Sequence, residues 1–169
     1  MNHIIKELNR INFNFDDFVI VCIGTQKSYL DSVGPIVGTK LQRLFPNAVI
    51  IGKLGDNCHA LNIESKIKYI KKHYPDRTIL AIDACCTKDN NKLGTIQLTK
   101  GAISPGAGVG KNLPAIGHYS FKAFTVDSAR QFLIQDEILK DYEDNHKFYE
   151  FVDETVKNIV HCIKKAVFS

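Results

Sequence analysis

Three short apolar runs in the first half of the chain have the length and composition of buried β-strands. They are residues 18–23 (FVIVCI), 48–51 and 78–82 (TILAI). Continuous apolar, β-branched runs of about four to eight residues are typical of strands in a parallel sheet that is covered on both faces. Two later stretches, residues 94–98 and 121–126, predict further strands.

The segments between and after these strands carry apolar residues at helical spacing. A helix is predicted over residues 34–45, where Pro46 ends the pattern, and another begins at Asn62 as its N-cap. Residues 128–168 are predicted to be helical in two pieces. The second piece has a clear apolar stripe, made of Phe148, Val152, Val156, Ile159, Ile163 and Val167.

Strands that alternate with helices predict an α/β fold with a mostly parallel sheet covered on both faces. The length of 169 residues favours a single domain over residues 1–169. In such folds the ligand site lies beyond the carboxyl ends of the strands, where the strand order reverses. Candidate catalytic residues are therefore expected at that edge.

Charge and composition exclude several classes of protein. The 22 Lys and Arg residues are interspersed with 18 Asp and Glu residues, so we expect no nucleic-acid partner. No stretch has the apolar core of a signal peptide or approaches about 18 consecutive apolar residues, which predicts a cytoplasmic protein with no membrane partner. Five cysteines without a CxxC pair favour reduced thiols over disulfides or a structural zinc site.

Two aspartates fall at the predicted carboxyl edge. Asp31 lies in the loop after the first strand, and Asp83 immediately follows the third. If the third strand lies beside the first, the two carboxyls share one crevice, and only one of them ionises readily. That division suits the activation of water by one carboxyl and protonation by the other. Two structural interpretations remain open: Asp31 or Ser32 as a helix cap, and Asp83 as a loop anchor.

The segment 100–117 (KGAISPGAGVGKNLPAIG) is rich in glycine. Three glycines stand at alternate positions: Gly106, Gly108 and Gly110. They permit close backbone approach, so the loop could present N–H groups to a substrate, and a plain surface turn is the alternative. A P-loop is excluded, because Pro105 and Asn112 stand where that motif needs a glycine and a hydroxyl.

Four segments together resemble the YyaC family of sporulation proteins, which are related to the germination protease GPR of spore-forming bacteria. They are GTQKSYLDSVGPIVGTKL, HALN, AIDACC and ISPGAGVGKNLPAIG, within roughly residues 18–127. The resemblance implies a three-layer, phosphorylase/hydrolase-like α/β fold, as in the hydrogenase maturation endopeptidases. It also implies that the two functional aspartates of the family correspond to Asp31 and Asp83.

The function implied by this resemblance is that of an atypical aspartic endopeptidase, a hydrolase acting in sporulation or germination in the developing spore. The expected partner is a protein or peptide substrate, with small acid-soluble spore proteins as candidates. Asp31 and Asp83 are the predicted catalytic residues. The predicted substrate-binding residues are His59, Gly106, Gly108, Gly110, Asn112 and His118. No cofactor or metal is predicted, and the oligomeric state is left undetermined.

Three alternatives stay open. A metal site could combine the two aspartates with His59 or His118, as in the nickel-binding maturation enzymes. A thiol nucleophile, Cys85 or Cys86, could act with His118. The chain could also be a non-catalytic protein that binds a peptide or another sporulation factor in the same crevice.

Overall fold

The computed structural model describes residues 1–27, 30–106, 113–127 and 142–169. These residues form four α-helices, five β-strands and two short 3-10 turns. The helices are α1 (Asn2–Arg10), α2 (Val33–Leu44), α3 (Ile63–His73) and α4 (Tyr142–Val167). The strands are β1 (Phe18–Cys22), β2 (Ile50–Ile51), β3 (Thr78–Thr87), β4 (Ile96–Lys100) and β5 (Tyr119–Asp127). The 3-10 turns are Leu30–Ser32 and Asn90–Lys92.

The five strands form one sheet in the order β2-β1-β3-β5-β4. β1 is parallel to both β2 and β3, and β3 is parallel to β5, whereas β4 is antiparallel to β5. The predicted α/β class with a mostly parallel sheet is confirmed. The expectation that the third strand lies beside the first is confirmed as well, because Cys22 pairs with Ile82 at the end of β1.

The two faces of the sheet bury separate apolar clusters, because successive strand residues point to opposite sides. One cluster joins Ile20, Leu80 and Ile82 to residues of α1, α2 and α4. The other, smaller cluster joins Val21 and Ala81 to residues of α3. Helices therefore cover both faces. The finer phosphorylase/hydrolase-like classification and the single-domain organisation remain predictions.

Several element boundaries differ from the sequence prediction. β3 was expected to end at residue 82 but runs to Thr87, and β2 contains only two of the four residues expected. The polar Asp83 and the two cysteines after it interrupt the apolar run without interrupting the strand, because β5 continues to pair with them. Helix α1 was not predicted; Ile4 and Leu8, one helical turn apart, are its buried residues.

The carboxyl-terminal helix α4 confirms the second of the two predicted helical pieces, and Val152, Val156 and Ile159 of its stripe are buried. The first predicted piece falls mostly on residues 128–141, which lie outside the described residues. In the part of the chain that the structure describes, no helix combines the length and apolar character needed to cross a membrane.

Candidate active site

Asp83 lies where β3 outruns its neighbour β1. The last contact between the two strands is the hydrogen bond that the Ile23 N–H donates to the Ile82 carbonyl, at 2.7 Å. One residue later, Asp83 is still paired with Lys122 of β5. Asp83 therefore lies within β3, whereas the sequence analysis expected it to follow the strand. The residue is only 7% exposed. A carboxyl is thus buried at the point where β3 continues beyond the end of β1.

Asp31 is positioned by the loop that follows β1. Its backbone carbonyl accepts a hydrogen bond of 3.0 Å from the Thr25 N–H, which draws the 3-10 turn Leu30–Ser32 onto the loop. Gly24 has a φ of 138°, and a Cβ at that position would lie 1.9 Å from the Asp31 carbonyl oxygen. Only glycine fits there, so Gly24 is what allows Asp31 to approach the end of β1 so closely.

The helix-capping interpretation of Asp31 finds no support in the geometry of α2. The N-cap residue of this helix is Ser32, and its side chain makes no capping hydrogen bond. The helix begins pressed against β1, because a Cβ at Gly34 would lie 2.1 Å from the Ile23 carbonyl oxygen. Asp31 therefore stands outside the helix, over the carboxyl end of β1.

The two carboxyls are close enough to affect one another. Burial raises the pKa of Asp83 well above its ordinary value, and the negative charge of Asp31 raises it further. A hydrogen bond from the Ala84 N–H acts in the opposite direction but is the smallest of the three effects. The structure thus brings Asp31 and Asp83 together, and both burial and the charge of Asp31 favour the protonated form of Asp83.

Three thiols, those of Cys58, Cys85 and Cys86, lie near Asp83, and sequence reasoning did not place them there as a group. Burial is the main cause that raises the pKa of Cys58 and Cys85 to about 12, and the ionised form of Asp83 adds to the increase at both. The pKa of Cys86 is also raised, first by burial and then by Asp83 and Asp31. The sequence signal was the segment Asp83-Ala84-Cys85-Cys86 in β3, which gives no indication of Cys58. Protonated thiols are poor nucleophiles, which argues against cysteine catalysis.

His118 lies at the opposite end of the sheet. Its side-chain Nδ1 accepts a hydrogen bond of 2.8 Å from the backbone N–H of Ile79, and the backbone N–H of His118 donates to the Ile79 carbonyl at 2.8 Å. Ile79 precedes Asp83 by four residues, about 13 Å along a strand. The structure therefore does not bring His118 to the aspartates, and a thiol–histidine pair with Cys85 or Cys86 loses its base.

His59 lies at the same edge as the aspartates. It follows Cys58, which forms a parallel bridge with Ile23 just beyond β1. The Nδ1 atom of His59 accepts a hydrogen bond of 3.2 Å from the Leu61 N–H, so Nε2 is the nitrogen available to a ligand. Its predicted contact with substrate remains a prediction.

The glycine-rich loop returns to the sheet across the face that carries Asp83. A Cβ at Gly117 would lie 3.1 Å from the Cβ of Ala81, which points to the same face as Asp83 two residues later. Of the predicted loop residues, Gly106 is described and has a φ of 73°, a left-handed conformation that suits glycine. The other three, Gly108, Gly110 and Asn112, lie outside the described residues.

Comparison with known families places these residues in a wider group. The model of the family described as "Protein of unknown function (DUF1256)" matches residues 1–142, which include both aspartates and the glycine-rich loop. The chain belongs to the DUF1256 family.

A curated relative of this DUF1256 chain is the "Uncharacterized protein YyaC" of Bacillus subtilis (strain 168). The two are 41% identical over 100 residues, which make up 59% of this chain and 48% of that protein. The chain therefore spans about half the length of the curated relative it matches. The YyaC resemblance is confirmed in this respect, whereas the relation to the germination protease remains a prediction.

The metal alternative finds no preformed site in the DUF1256 chain as far as it is described. In residues 1–27, 30–106, 113–127 and 142–169, no group of three or more His, Cys, Asp or Glu side chains is arranged to hold a metal ion. His118 is too distant to complete a set of ligands with Asp31 and Asp83. What the arrangement offers chemically is two neighbouring carboxyls, of which Asp83 is buried and has a raised pKa.

Proposed function

We propose that this chain is a peptidase of the germination-protease type that hydrolyses peptide bonds with Asp31 and Asp83. The observation that carries the proposal is the burial of Asp83 beside a second carboxyl, which together raise its pKa well above the ordinary value. Groups perturbed in this way cluster at catalytic sites, because catalysis needs a proton donor that stays protonated near neutral pH.

The surroundings of the two carboxyls support the proposal of a different role for each. Asp83 is almost fully buried and holds its proton, so it acts as the general acid. Asp31 is half-buried in the loop after β1, where water can reach it, so it acts as the general base. In many hydrolases a positioned acid or base of this kind contributes about 10²- to 10⁴-fold to the rate.

The proposed reaction requires no further group. Asp31 accepts a proton from a water molecule while the water oxygen attacks the carbonyl carbon of the scissile amide. Asp83 gives its proton to the leaving nitrogen as the carbon–nitrogen bond breaks. The products are a carboxylic acid and an amine, and the exchange of protons with water restores Asp83 as acid and Asp31 as base.

Sporulation and the developing spore enter the proposal through the resemblance to YyaC and to the germination protease. Small acid-soluble spore proteins are accordingly the first substrates to try. The binding of a peptide without cleavage is the competing function, and it would use the same crevice.

The decisive test is cleavage of a panel of small acid-soluble spore proteins, read by mass spectrometry. Wild type is compared with Asp31→Asn and Asp83→Asn, and the matched control is Asp76→Asn, an exposed aspartate in the turn before β3. We expect defined cuts by wild type and Asp76→Asn, and a rate lower by about 10²- to 10⁴-fold in each of the other two variants. Circular dichroism checks that every variant is folded.

The pH dependence of cleavage tests the assignment of roles. If Asp83 is the acid, the rate decreases as pH rises through its raised pKa, because the proton it must donate is lost. Cleavage retained at the wild-type rate in both site variants would overturn the peptidase proposal. Absence of cleavage by folded wild type, with and without added divalent metal, would favour the binding role.

A further inference from the structure

A cavity of about 690 Å³ lies along β2, which is an edge strand of the sheet in the part of the chain that the structure describes, and apart from the two aspartates. Its walls include Gln42 at the end of α2, Ile50 of β2 and Tyr69 of α3. The volume falls within the range of about 300–1,000 Å³ that is common for ligand sites. The aspartate pair does not line this cavity, and the proposed peptidase mechanism makes no use of it.

The backbone of β2 turns a donor and an acceptor toward this cavity. Ile20 pairs with Ile50, and the Ile20 N–H donates to the Val49 carbonyl at 3.0 Å. In a parallel ladder with this register, the N–H and carbonyl of Ile51 face β1, so those of Ile50 face the opposite way. An edge strand with such groups can be extended by an added strand.

The charges that line the cavity favour an anionic group. Lys66 pairs with Asp56 at 2.6 Å, so these two charges offset one another. The Nζ of Lys53 donates to Oε1 of Gln42 at 3.0 Å, and that acceptor is neutral. With two lysines and one aspartate among the lining residues, the cavity has an excess positive charge at Lys53.

Gln42 is held in the orientation that presents its oxygen to Lys53. Its Nε2 donates to the carbonyls of Phe45, Pro46 and Ala48 at 3.3, 2.9 and 3.3 Å. Three carbonyl acceptors fix the amide nitrogen on one side, so Oε1 faces the ammonium group. Lys53 is thereby held beside the outward-facing backbone of β2, and a ligand carboxylate need not order a flexible lysine first.

We propose that this cavity binds an extended peptide segment that pairs with Ile50 as an additional strand and sets an acidic side chain against Lys53. The rings of Tyr69 and Tyr74, whose centroids lie 6.2 Å apart in an edge-to-face arrangement, form the wall for a neighbouring side chain of the segment. This site goes beyond the proposed peptidase function, since it would bind a peptide whether or not the aspartates cleave it.

The position of the site connects it with the candidate active site. A strand added beside β2 lies three strand spacings, about 14 Å, from β3 and Asp83. The loop at the end of the cavity also touches the loop that leads to Asp31, because the Gly55 N–H donates to Oε1 of Gln26 at 3.3 Å. A bound segment of peptide could therefore continue into the crevice within about five extended residues.

The test begins with selection of a random octapeptide phage library on the intact wild-type protein. We expect enrichment of Asp and Glu among the selected peptides, which are then synthesised with a dye and titrated by fluorescence anisotropy. Lys53→Glu should weaken their binding at least tenfold, whereas Lys71→Glu should change it less than twofold. Lys71 is the matched control, because it is exposed on α3, does not line the cavity and undergoes the same change of charge.

Two measurements on wild-type protein keep the proposal testable even if Lys53→Glu does not fold. Amide hydrogen exchange of Ile50 should slow at least tenfold when the selected peptide binds, and N-methylation of the peptide at alternate residues should weaken binding at least tenfold. The Asp31→Asn and Asp83→Asn variants should bind as wild type does, so loss of cleavage and loss of this site are distinguishable. Failure to select any binder, a lack of acidic enrichment, or unchanged exchange at Ile50 would each overturn the proposal.

Discussion

Ile82 and Asp83 are neighbours in β3, yet the sheet turns their side chains to opposite faces. Ile82 is fully buried in the large apolar cluster with α2 and α4. The side chain of Asp83, which is 7% exposed, points to the same face as those of Ala81 and Cys85, the face that α3 covers. One strand thus presents a stabilising side chain on one face and a carboxyl that is costly to ionise on the other. Functional sites are commonly built at such a cost in stability.

The largest expected effect on stability belongs to Ile82→Ala. Removal of this side chain leaves a cavity in the large cluster, and the free energy of unfolding should fall by about 2–5 kcal/mol. Urea denaturation measures the change, and Ile51→Ala, at a half-buried edge position, should cost less. A loss below about 1 kcal/mol for Ile82→Ala would mean that the two faces differ less in packing than their burial indicates.

The next effect concerns the loop that positions Asp31. Gly24→Ala should destabilise the fold by more than about 1 kcal/mol, because both the positive φ and the Asp31 carbonyl oxygen oppose a Cβ. Gly101→Ala is the matched control, since Gly101 has a φ of 120° but no atom within 4 Å of the added Cβ. Thermal and urea unfolding should therefore separate the two variants. Equal losses would show that close approach to Asp31 contributes nothing beyond backbone strain.

Asp83→Asn should change the free energy of unfolding in the opposite direction to Ile82→Ala. Because the pKa of Asp83 is raised in the folded chain, its proton is held more tightly there than in the unfolded chain. The contribution of Asp83 to stability should consequently be greatest below the ordinary aspartate pKa of 3.8 and decrease as pH rises through the raised folded-state value. Asp83→Asn lacks this dependence, so at pH 7 it should be more stable by on the order of 1 kcal/mol.

Urea titrations of wild type, Asp83→Asn and the exposed control Asp76→Asn across pH 4–8 measure this difference. The control should keep the wild-type slope of stability against pH. Asp83→Asn should flatten it. A wild-type stability that increases over this range and loses that increase in Asp83→Asn would contradict a raised pKa for the buried carboxyl.

The smallest effect is expected from alkylation of the thiols around the aspartates. With a pKa of about 12, Cys58 and Cys85 carry a thiolate fraction about a thousandfold lower than a thiol with the ordinary value of 9.0. Iodoacetamide at neutral pH should therefore spare both in the folded protein and modify them after denaturation. Among the three thiols near the aspartates, Cys86 should react first, because it is less buried. Peptide mass spectrometry gives the order, and early modification of Cys58 would contradict it.

Much of the sheet could be predicted from local patterns. The run FVIVCI predicted β1 to within one residue, and the helical stripe before Pro46 predicted α2 equally well. These elements are easy to predict from sequence, because a fully buried strand needs a continuous apolar run and a helix with one buried face needs apolar residues at helical spacing. The meeting of Asp31 with Asp83 was also predictable, since parallel strands direct their carboxyl ends to one edge.

Other features escaped local reasoning for identifiable reasons. β3 extends five residues past its apolar run, because hydrogen bonds from β5 hold a segment whose own composition is ambiguous. His118 is close to the glycine-rich loop in sequence, but its hydrogen bonds to Ile79 place it at the amino end of β3. No pattern within a single segment indicates at which end of the sheet a connecting loop returns.

The sequence by itself determined the alternation of strands and helices, the buried character of β1 and β3, and the edge at which the aspartates lie. Tertiary structure alone decided three features. The pairing of β1 with β3 stops at Ile82, one residue before Asp83; Gly24 brings Asp31 against the end of β1; and the edge of β2 opens into a cavity. The reason is physical: periodicity records how each element is buried, whereas the pKa of a carboxyl and the shape of a cavity depend on groups distant along the chain.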